Sequence, residues 1–292
     1  ISKPAEGRRS LARAAVGAVA LLVLGLELLP WAHEFLPKTR RENVYPVTPA
    51  IERLMAEEGR VLAVTPRAEW GMAEVPGAVL PPNAATAYGY DTVSGYDSLM
   101  LTPYRAWMLR AEGEEVAPAA NGNMMLPEQA VGERQALAGM GAALARSRPS
   151  GEGSQEVALE SSHGGTALYR IAPVLPRAFV YDGPDEVPDA GAVTPAQWRR
   201  LGASSMEITL PQARTAQRLC VTETFYPGWS AYAQGERRDV RQALEVFCGV
   251  DIEPDDTQVR LVFEPATVRV GSFLALLGIA AVAALLMMQR RN

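Results

Sequence analysis

Apolar residues are concentrated in two long runs near the ends of the chain, with shorter and interrupted runs between them. Residues 14–32 are apolar except for Glu27, and residues 270–288 are apolar except for Ser272, so each run is 19 residues long. A helix needs about 20 predominantly apolar residues to cross the ~30 Å hydrocarbon layer of a bilayer. We therefore predict transmembrane helices over residues 14–32 and 269–288.

Basic residues at the two ends predict how these helices are oriented. Those that flank the outer ends of the apolar runs are Lys3, Arg8, Arg9, Arg13, Arg290 and Arg291. By the positive-inside rule, residues 1–13 and 289–292 face the cytoplasm and residues 33–268 lie outside it. A secretory signal peptide is the alternative for the first run, because such peptides also begin with basic residues, but no small-x-small cleavage site follows.

The first part of the region between the apolar runs mixes helix and strand signals. Thr48-Pro49 supplies an N-cap and a first-turn proline for a helix that Gly59 would end, and residues 60–64 are typical of a short buried strand. Further segments are a helix over 101–110, a helix or helix–strand junction over 133–146, a hairpin over 157–171 and a helix over 194–201. We therefore predict an α/β region over residues 33–200.

The last part of this region has the two-residue period of β-strands. Strand-length segments lie at residues 205–210, 218–222, 243–247 and 258–263. Turn signals such as Pro227-Gly228 separate them, and short strands at this spacing are typical of a β-sandwich or jelly-roll-like module, here residues 201–268. The predicted fold class is therefore α+β, an α/β region followed by a β-sandwich-like module, flanked by the two transmembrane helices.

Charge is distributed unevenly along the chain. The net charge is −5, and residues outside 38–267 contribute +4, so the middle of the chain carries −9. Such an acidic centre argues against nucleic acid as a partner. The chain begins with Ile rather than Met, and we therefore expect it to be a piece of a longer protein.

Two cysteines, Cys220 and Cys248, lie in the predicted β module. Outside the cytoplasm, in an oxidising compartment, these two cysteines are predicted to form a disulfide. It would stabilise the folded state by roughly 3 kcal/mol, because it closes a loop of about 28 residues. Two buried free thiols are the alternative.

Metal and cofactor chemistry is not predicted from the sequence. His33 and His163 have no ligand partners at useful spacing. Residues 251–256 superficially resemble the start of a calcium loop but lack its glycine and closing glutamate, so we predict a hairpin turn there. The sequence contains no phosphate-binding glycine loop and singles out no acid–base pair, so no catalytic residue is predicted either.

Aromatic and acidic residues in predicted loops are candidates for contact with a glycan. Gly89-Tyr-Asp91 recurs as Gly95-Tyr-Asp97, and a Tyr-Pro-Gly-Trp turn follows at 226–229. Aromatic faces stack on sugar rings, and loops on a rigid scaffold present them. The candidates are Tyr90, Asp91, Tyr96, Asp97, Trp107, Tyr226 and Trp229. Packing of the same aromatic rings into turns or into the core of the β module is the alternative.

Three motifs and the final apolar run together resemble a known family. They are Gly-Tyr-Asp-Thr-Val-Ser-Gly-Tyr-Asp at 89–97, Leu-Pro-Arg-Ala-Phe at 175–179 and Phe-Tyr-Pro-Gly-Trp-Ser-Ala at 225–231. In this order and spacing they resemble the C-terminal part of the YfhO-like bacterial membrane proteins, which are grouped with the GT-C glycosyltransferases. The chain departs from the family at Ala233-Gln-Gly235, where a Val-Asp-Gly-like turn is usual, and at Cys248, where arginine is common.

The resemblance implies a transferase in the bacterial inner membrane that uses a polyprenyl-phosphate-linked sugar at the outer face. It also implies that the catalytic acidic residue lies in an early outer loop of an N-terminal membrane core, so no catalytic residue is carried over to this chain. The expected partners are the lipid bilayer, that membrane core, the lipid-linked sugar and a cell-envelope glycan. A non-enzymatic scaffold or carbohydrate-binding module, anchored by two helices, is the alternative.

Overall fold

A computed structural model of the protein divides it into two compact units, residues 1–47 and residues 48–292. The structure describes residues 4–35, 40–57, 59–64, 80, 83–97, 99–111, 124–125, 130–131, 138–145, 150–151, 156–163, 165–182, 188, 190–212 and 217–289.

The first unit consists of one long helix, α1 (Pro4–Phe35), and a 3-10 turn at Arg41–Asn43. Residues Ala12–His33 of α1 are long and apolar enough to cross a membrane, and so is the helix Ala266–Gln289 that ends the second unit. The two predicted apolar helices are therefore confirmed as helices. Their length and composition indicate association with a membrane.

The second unit begins with a four-stranded sheet and the helices beside it. Its first elements are α2 (Pro49–Met55), β1 (Arg60–Ala63), α3 (Ala84–Tyr88), β2 (Gly95–Tyr96), α4 (Thr102–Ala111), β3 (Met124–Met125), β4 (Ala130–Val131), β5 (Met140–Ala145), β6 (Ser150–Gly151), β7 (Glu156–His163) and β8 (Thr166–Ala172). The first sheet has the order β1-β5-β8-β7, with β1 parallel to β5 and the other pairs antiparallel. Strands β2 with β3 and β4 with β6 form two small additional pairs.

Two five-stranded antiparallel sheets follow. Their elements are β9 (Ala178–Tyr181), β10 (Thr194–Pro195), β11 (Gln197–Gly202), β12 (Ser205–Thr209), β13 (Gln217–Thr224), β14 (Trp229–Ala233), β15 (Glu236–Arg238), β16 (Val240–Ala243), β17 (Phe247–Ile252), β18 (Gln258–Phe263) and the final helix α5 (Ala266–Gln289). The second sheet has the order β10-β9-β13-β17-β16, and the third has the order β11-β12-β18-β14-β15. The predicted α+β class is confirmed.

The second sheet is buried on both faces. Phe179 and Tyr181 of β9 belong to a core cluster that they share with the first sheet and α4, whereas Ala178 and Val180 belong to a cluster shared with the third sheet. A third cluster joins α2 and α3 to the other side of the first sheet. Because side chains alternate along a strand, burial of both faces requires apolar residues at consecutive positions.

The structure confirms several local predictions. The Thr48 hydroxyl accepts the N–H of Ile51 at 3.3 Å, so the predicted N-cap of α2 is present. Helix α4 and the hairpin of β7 and β8 are also present, as are strands within residues 205–210, 218–222 and 258–263.

Other local predictions are wrong. Residues 194–201, predicted as a helix, form strands β10 and β11. Of the two alternatives for 133–146, a continuous helix is wrong because residues 140–145 form strand β5, and the start of the helix–strand junction lies outside the described residues. Residues 243–247 contain a turn instead of a strand, because Leu244 and Glu245 have positive φ. The segment 251–256 is not a hairpin turn, because it links β17 of the second sheet to β18 of the third.

Gly59 does not end helix α2, which ends at Met55. A Cβ added at Gly59 would lie 2.8 Å from the carbonyl oxygen of Gly139, at the point where the N–H of Arg60 donates to the same oxygen at 2.8 Å. The glycine is therefore required by a close backbone approach at the start of β1.

Candidate functional site

Side chains associated with the three motifs meet in one group of charged residues, which we call the Arg177 cluster. Its members are Arg60, Asp91, Arg177, Arg200 and Glu223, with Trp198 beside them. The 89–97 motif supplies Asp91, the 175–179 motif supplies Arg177, and Glu223 lies two residues before the motif at 225–231. Residues far apart in sequence therefore form one site in the second unit.

Arg177 is the centre of the cluster. Its side chain is 7% exposed, and its two terminal nitrogens donate to Asp91 Oδ2 and to Glu223 Oε1. The guanidinium lies 4.8 Å from the ring centre of Trp198, close enough for a cation–π contact. Within the part of the chain that the structure describes, its Nε has no hydrogen-bond partner. A buried guanidinium held by two carboxylates fixes the position of all three groups.

Local structure explains why Arg177 is held so firmly. The residue directly precedes β9, and the N–H of Thr222 donates to the Arg177 carbonyl at 2.9 Å, which continues the pairing of β9 with β13. The Thr222 hydroxyl donates to the same carbonyl at 3.2 Å. Both the backbone and the side chain of Arg177 are therefore fixed by β13.

Arg60, at the start of β1, supports the cluster from the first sheet. Its Nη1 donates to the Ala138 carbonyl at 2.6 Å and to the Thr222 hydroxyl at 2.8 Å, and its Nη2 donates to the Thr222 carbonyl. Its Nη2 lies 3.8 Å from Glu223 Oε1. Burial, followed by repulsion from the Arg177 charge, lowers the pKa of Arg60. Arg60 thus joins the first sheet to β13 and helps to hold Glu223.

Arg200, in β11, completes the cluster on its solvent side. Its Nη2 lies 3.4 Å from Asp91 Oδ2, and its side chain is 49% exposed. The five residues supply three guanidinium groups and two carboxylates. One positive charge is therefore in excess, and Arg200 is the most exposed of the three cations.

Three cavities meet at this cluster. The largest, which we call the groove, is an open cleft of about 1540 Å³ whose lining includes Tyr90, Asp91, Arg177, Trp198, Arg199 and Arg200. A second cavity of about 400 Å³ shares Asp91, Arg177 and Arg200 with the groove. A third, of about 120 Å³, is lined by Arg200, Glu223 and Trp229 among others. Arg200 lines all three cavities.

Four of the seven predicted glycan contacts come from the Gly-Tyr-Asp repeat. Asp91 belongs to the cluster, and Asp97 lines the second cavity, where its carboxylate accepts the N–H of Leu99 at 2.8 Å. Tyr90 lines the groove but is buried, and burial raises the pKa of its hydroxyl to about 12. That hydroxyl has no hydrogen-bond partner among the described residues. The backbone of Tyr96 lies in β2, whereas its side chain lies outside the described part of the structure.

The prediction of a glycan contact is wrong for Trp107. Its indole is 0% exposed and makes an edge contact with Phe247, with ring centres 5.3 Å apart. Helix α4 places this ring in the core cluster between the first and second sheets, where no ligand reaches it. The packing alternative therefore applies to Trp107.

The Tyr-Pro-Gly-Trp turn at 226–229 closes on the residues that lead into α5. The N–H of Glu264 donates to the Gly228 carbonyl at 2.8 Å, and the indole of the turn lies 5.2 Å from the Phe263 ring. Gly228 has φ of +124°, and an added Cβ would lie 2.9 Å from Pro265 Cα. Only glycine fits this combination of conformation and close approach.

The two aromatic residues of this turn have different surroundings. Trp229 is half-buried, its Nε1 donates to the Thr224 carbonyl at 3.2 Å, and its ring lines the third cavity. Tyr226 is 47% exposed and lies 6.3 Å from the Phe263 ring. Trp229 thus has a packing role whether or not it contacts a ligand.

Cys220 and Cys248 are free thiols, both buried. In the pairing of β13 with β17, Cys220 lies opposite Gly249 and Val221 lies opposite Cys248. The two cysteines are therefore offset by one residue, and their side chains belong to core clusters on opposite faces of the second sheet. The predicted disulfide is not formed, and the alternative of two buried free thiols applies.

Sequence reasoning did not identify four of the residues at the site. Arg177 stands as a charged residue next to a run of consecutive apolar positions, which is a recognisable signal of a buried functional or structural arginine. Glu223 occupies an ordinary position in an alternating strand, Arg60 follows an acidic Glu-Glu-Gly segment, and Arg200 follows another arginine, so none of the three lies in a motif. Their roles depend on contacts between distant parts of the chain.

Among the described residues, no group of three or more His, Cys, Asp or Glu side chains is arranged to hold a metal ion. Comparison of the chain with family models, with curated proteins and with solved structures finds no match.

Proposed function

We propose that this chain is the C-terminal region of a polytopic GT-C-type glycosyltransferase that uses a polyprenyl-phosphate-linked sugar, and that its groove positions the acceptor or another glycan. The observation that carries the proposal is the convergence of the motifs at 89–97 and 175–179, together with Glu223, on one charged cluster at the groove. In this proposal catalysis belongs to an N-terminal membrane core, and the groove only binds.

The dimensions and lining of the groove support glycan binding. Its volume of about 1540 Å³ exceeds the roughly 300–1,000 Å³ that is usual for small-molecule sites, so an extended ligand fits. Asp91 and Arg200 offer acceptors and donors for sugar hydroxyls, and half-buried Trp198 also lines the groove and packs against the core cluster shared by the second and third sheets. Polar groups held by a rigid scaffold beside an aromatic ring are the usual elements of saccharide recognition.

We further propose that the second and third sheets form the β-sandwich expected from the sequence. The support for this is the core cluster that contains residues of both sheets, such as Val180 and Leu219 on one side and Ile208 and Leu261 on the other. Packing of two antiparallel sheets over one apolar layer is the defining feature of that architecture.

The proposed location is the bacterial inner membrane, with both ends of the chain in the cytoplasm and residues 33–268 outside. Labelling in intact cells tests this topology. The exposed Leu99 is replaced by cysteine and treated with a membrane-impermeant maleimide, while the two native cysteines are buried and serve as an internal control. We expect labelling without permeabilisation; labelling only after permeabilisation would place this region in the cytoplasm.

Glycan binding is tested on the full 292-residue chain in lipid nanodiscs, first on a broad glycan array and then by titration. Thr86 is exposed on α3 and lines the groove, so Thr86→Tyr narrows the groove without entering the core. Thr102, exposed at the start of α4, does not line the three cavities described, and Thr102→Tyr is the matched control.

We expect Thr86→Tyr to weaken binding about tenfold or more and Thr102→Tyr to leave it unchanged. Absence of binding by the wild-type chain to all glycans would instead support the alternative function, a membrane-anchored scaffold. The proposal that this chain belongs to a polytopic transferase has a separate test, which is the gene sequence upstream of the codon for Ile1. That sequence should encode many further apolar segments and an acidic residue in an early outer loop.

A further inference from the structure

We propose that the groove recognises an acidic glycan, and that Arg200 binds a singly charged oxyanion of that glycan, either a uronic acid carboxylate or a phosphodiester. This inference rests on the proposed function, because it requires that the groove hold a glycan. It adds the chemical class of the ligand and the residue that selects it.

The charge balance of the cluster is the first argument. Glu223 is shared by Arg177 and Arg60, and Asp91 is shared by Arg177 and Arg200, so two carboxylates serve three guanidinium groups. Within these five residues, one positive charge remains without a counter-ion. A ligand with a single negative charge restores neutrality.

Other charged residues that line the groove are already paired. Glu57 accepts from Arg53 at 3.0 Å, and Arg199 donates to Glu207. Asp97 adds a further carboxylate, but it lines the second cavity and not the groove, and its contact in the described structure is with the N–H of Leu99 and not with Arg200. The excess positive charge therefore remains on the side of Arg200 that faces the groove.

The location of Arg200 is the second argument. Arg60 and Arg177 are buried, whereas Arg200 is half-exposed and lines all three cavities. Strand β11 holds its backbone, since Arg200 pairs with Met206 of β12. The uncompensated charge thus lies on a rigid strand at the surface that a ligand reaches.

The unused hydrogen-bonding capacity at this point is the third argument. Among the described residues, the Arg200 side chain makes a single polar contact, at 3.4 Å with Asp91, although a guanidinium has five N–H donors and can bind carboxylate or phosphate through two parallel hydrogen bonds. Beside it, the Nε of Arg177 is buried without a partner in the described structure. The Asp91 carboxylate already shows that an oxyanion is accommodated next to Arg200.

The test compares matched ligands on the full chain in nanodiscs of zwitterionic lipid, which avoids competition from anionic headgroups. The acidic ligand is α-1,4-linked trigalacturonate, and its neutral partner is the carboxyl-reduced form of the same trisaccharide. A glycerol phosphodiester oligomer is the third ligand. The variants are Arg200→Gln, Arg200→Lys and the control Arg170→Gln, which removes an exposed arginine 3.5 Å from Glu160 on the first sheet.

We expect at least one anionic ligand to bind about tenfold more tightly than the neutral trisaccharide. Arg200→Gln should abolish this preference, Arg200→Lys should retain a part of it, and Arg170→Gln should leave it intact. Whichever anionic ligand depends on Arg200 identifies the oxyanion as carboxylate or phosphodiester. Circular dichroism of Arg200→Gln verifies that the exposed substitution leaves the fold unchanged.

Two results overturn the inference and are distinguishable from failure of the proposed function. Equal binding of neutral and acidic ligands by the wild-type chain rejects the oxyanion site but leaves glycan binding in place. A preference for acidic ligands that survives in Arg200→Gln rejects Arg200 as its source. If neither the glycans on the array nor these three ligands bind, both the inference and the proposed glycan binding fail.

Discussion

Removal of the Arg177 guanidinium is the most informative perturbation of this protein. Arg177→Met keeps the apolar stem of the side chain and much of its length, but it removes the cation that lies nearest to both Asp91 and Glu223. The variant loses two charge-assisted hydrogen bonds, each worth roughly 1.5–3 kcal/mol, and the contact with Trp198, worth roughly 0.5–2 kcal/mol.

The expected loss is smaller than the sum of these contributions. Asp91 is 40% exposed and keeps Arg200 at 3.4 Å, and Glu223 is 25% exposed and keeps Arg60 at 3.8 Å, so water and the remaining cations compensate in part. We expect Arg177→Met to lower the free energy of unfolding by about 3 kcal/mol, at the low end of the range for breaking a buried ion pair.

The assay is urea unfolding of the full chain in detergent micelles, followed by tryptophan fluorescence. The control Arg170→Met removes an exposed partner of Glu160 and should change the free energy of unfolding by less than about 1 kcal/mol. The triple variant Arg177→Met, Asp91→Asn, Glu223→Gln should recover at least half of the loss, because it leaves no unpaired charge. A loss below about 1 kcal/mol for Arg177→Met would refute the buried cluster.

Three further substitutions or conditions test other parts of the structure. Gly228→Ala should destabilise the protein by roughly 1–3 kcal/mol in the same unfolding assay, because φ of +124° and the approach to Pro265 both exclude a Cβ; an unchanged midpoint contradicts the turn geometry. Thr48→Ala should cost about 1 kcal/mol through loss of the N-cap of α2, and Thr48→Ser should restore most of it. Burial raises the pKa of the Cys220 and Cys248 thiols, so both stay protonated in the folded protein at a pH where the thiols of the unfolded chain ionise. Their contribution to the free energy of unfolding should therefore be fully present below about pH 8.5 and should be lost progressively as the pH rises above it. A thiol reagent should label neither cysteine in the native state and both in denaturant, and rapid labelling of the native protein would contradict their burial.

Strands β12 and β18 of the third sheet are among the most predictable parts of the fold. Met206 and Ile208 of β12, like Val259 and Leu261 of β18, are buried at alternate positions, and this period is visible in the sequence. Strand β5 was harder to predict, since Met-Gly-Ala-Ala-Leu-Ala has high helix propensity. Its small side chains are instead required by core clusters on both faces of the first sheet.

The same local signal gave a correct prediction at one place and a wrong one at another. Thr48-Pro49 begins a helix, whereas Thr194-Pro195 forms β10 and pairs with Val180 and Phe179 of β9. Strand β10 lies at the edge of the second sheet, where a proline without an N–H is tolerated. Which outcome occurs is decided by a neighbouring strand, and this information is absent from the dipeptide.

The candidate site was predicted only in outline. Asp91 was identified from its repeat and Arg177 lay within a recognised motif, but the bond between them joins residues 86 positions apart. The partner Glu223 is 46 positions from Arg177. Periodicity and motif spacing describe neighbours along the chain, so contacts of this kind appear only in the three-dimensional structure.

The turn at 226–229 has a mechanical consequence for the membrane helix. Because Gly228 and the turn's indole hold residues 263–265 by a hydrogen bond and ring packing, and β18 runs directly into α5, the junction has little freedom to swivel. Arg200 and Phe263 line the same small cavity. In the proposed membrane setting of α5, a tilt of this helix would therefore move β18 and the turn with it, next to the cavity that Arg200 lines.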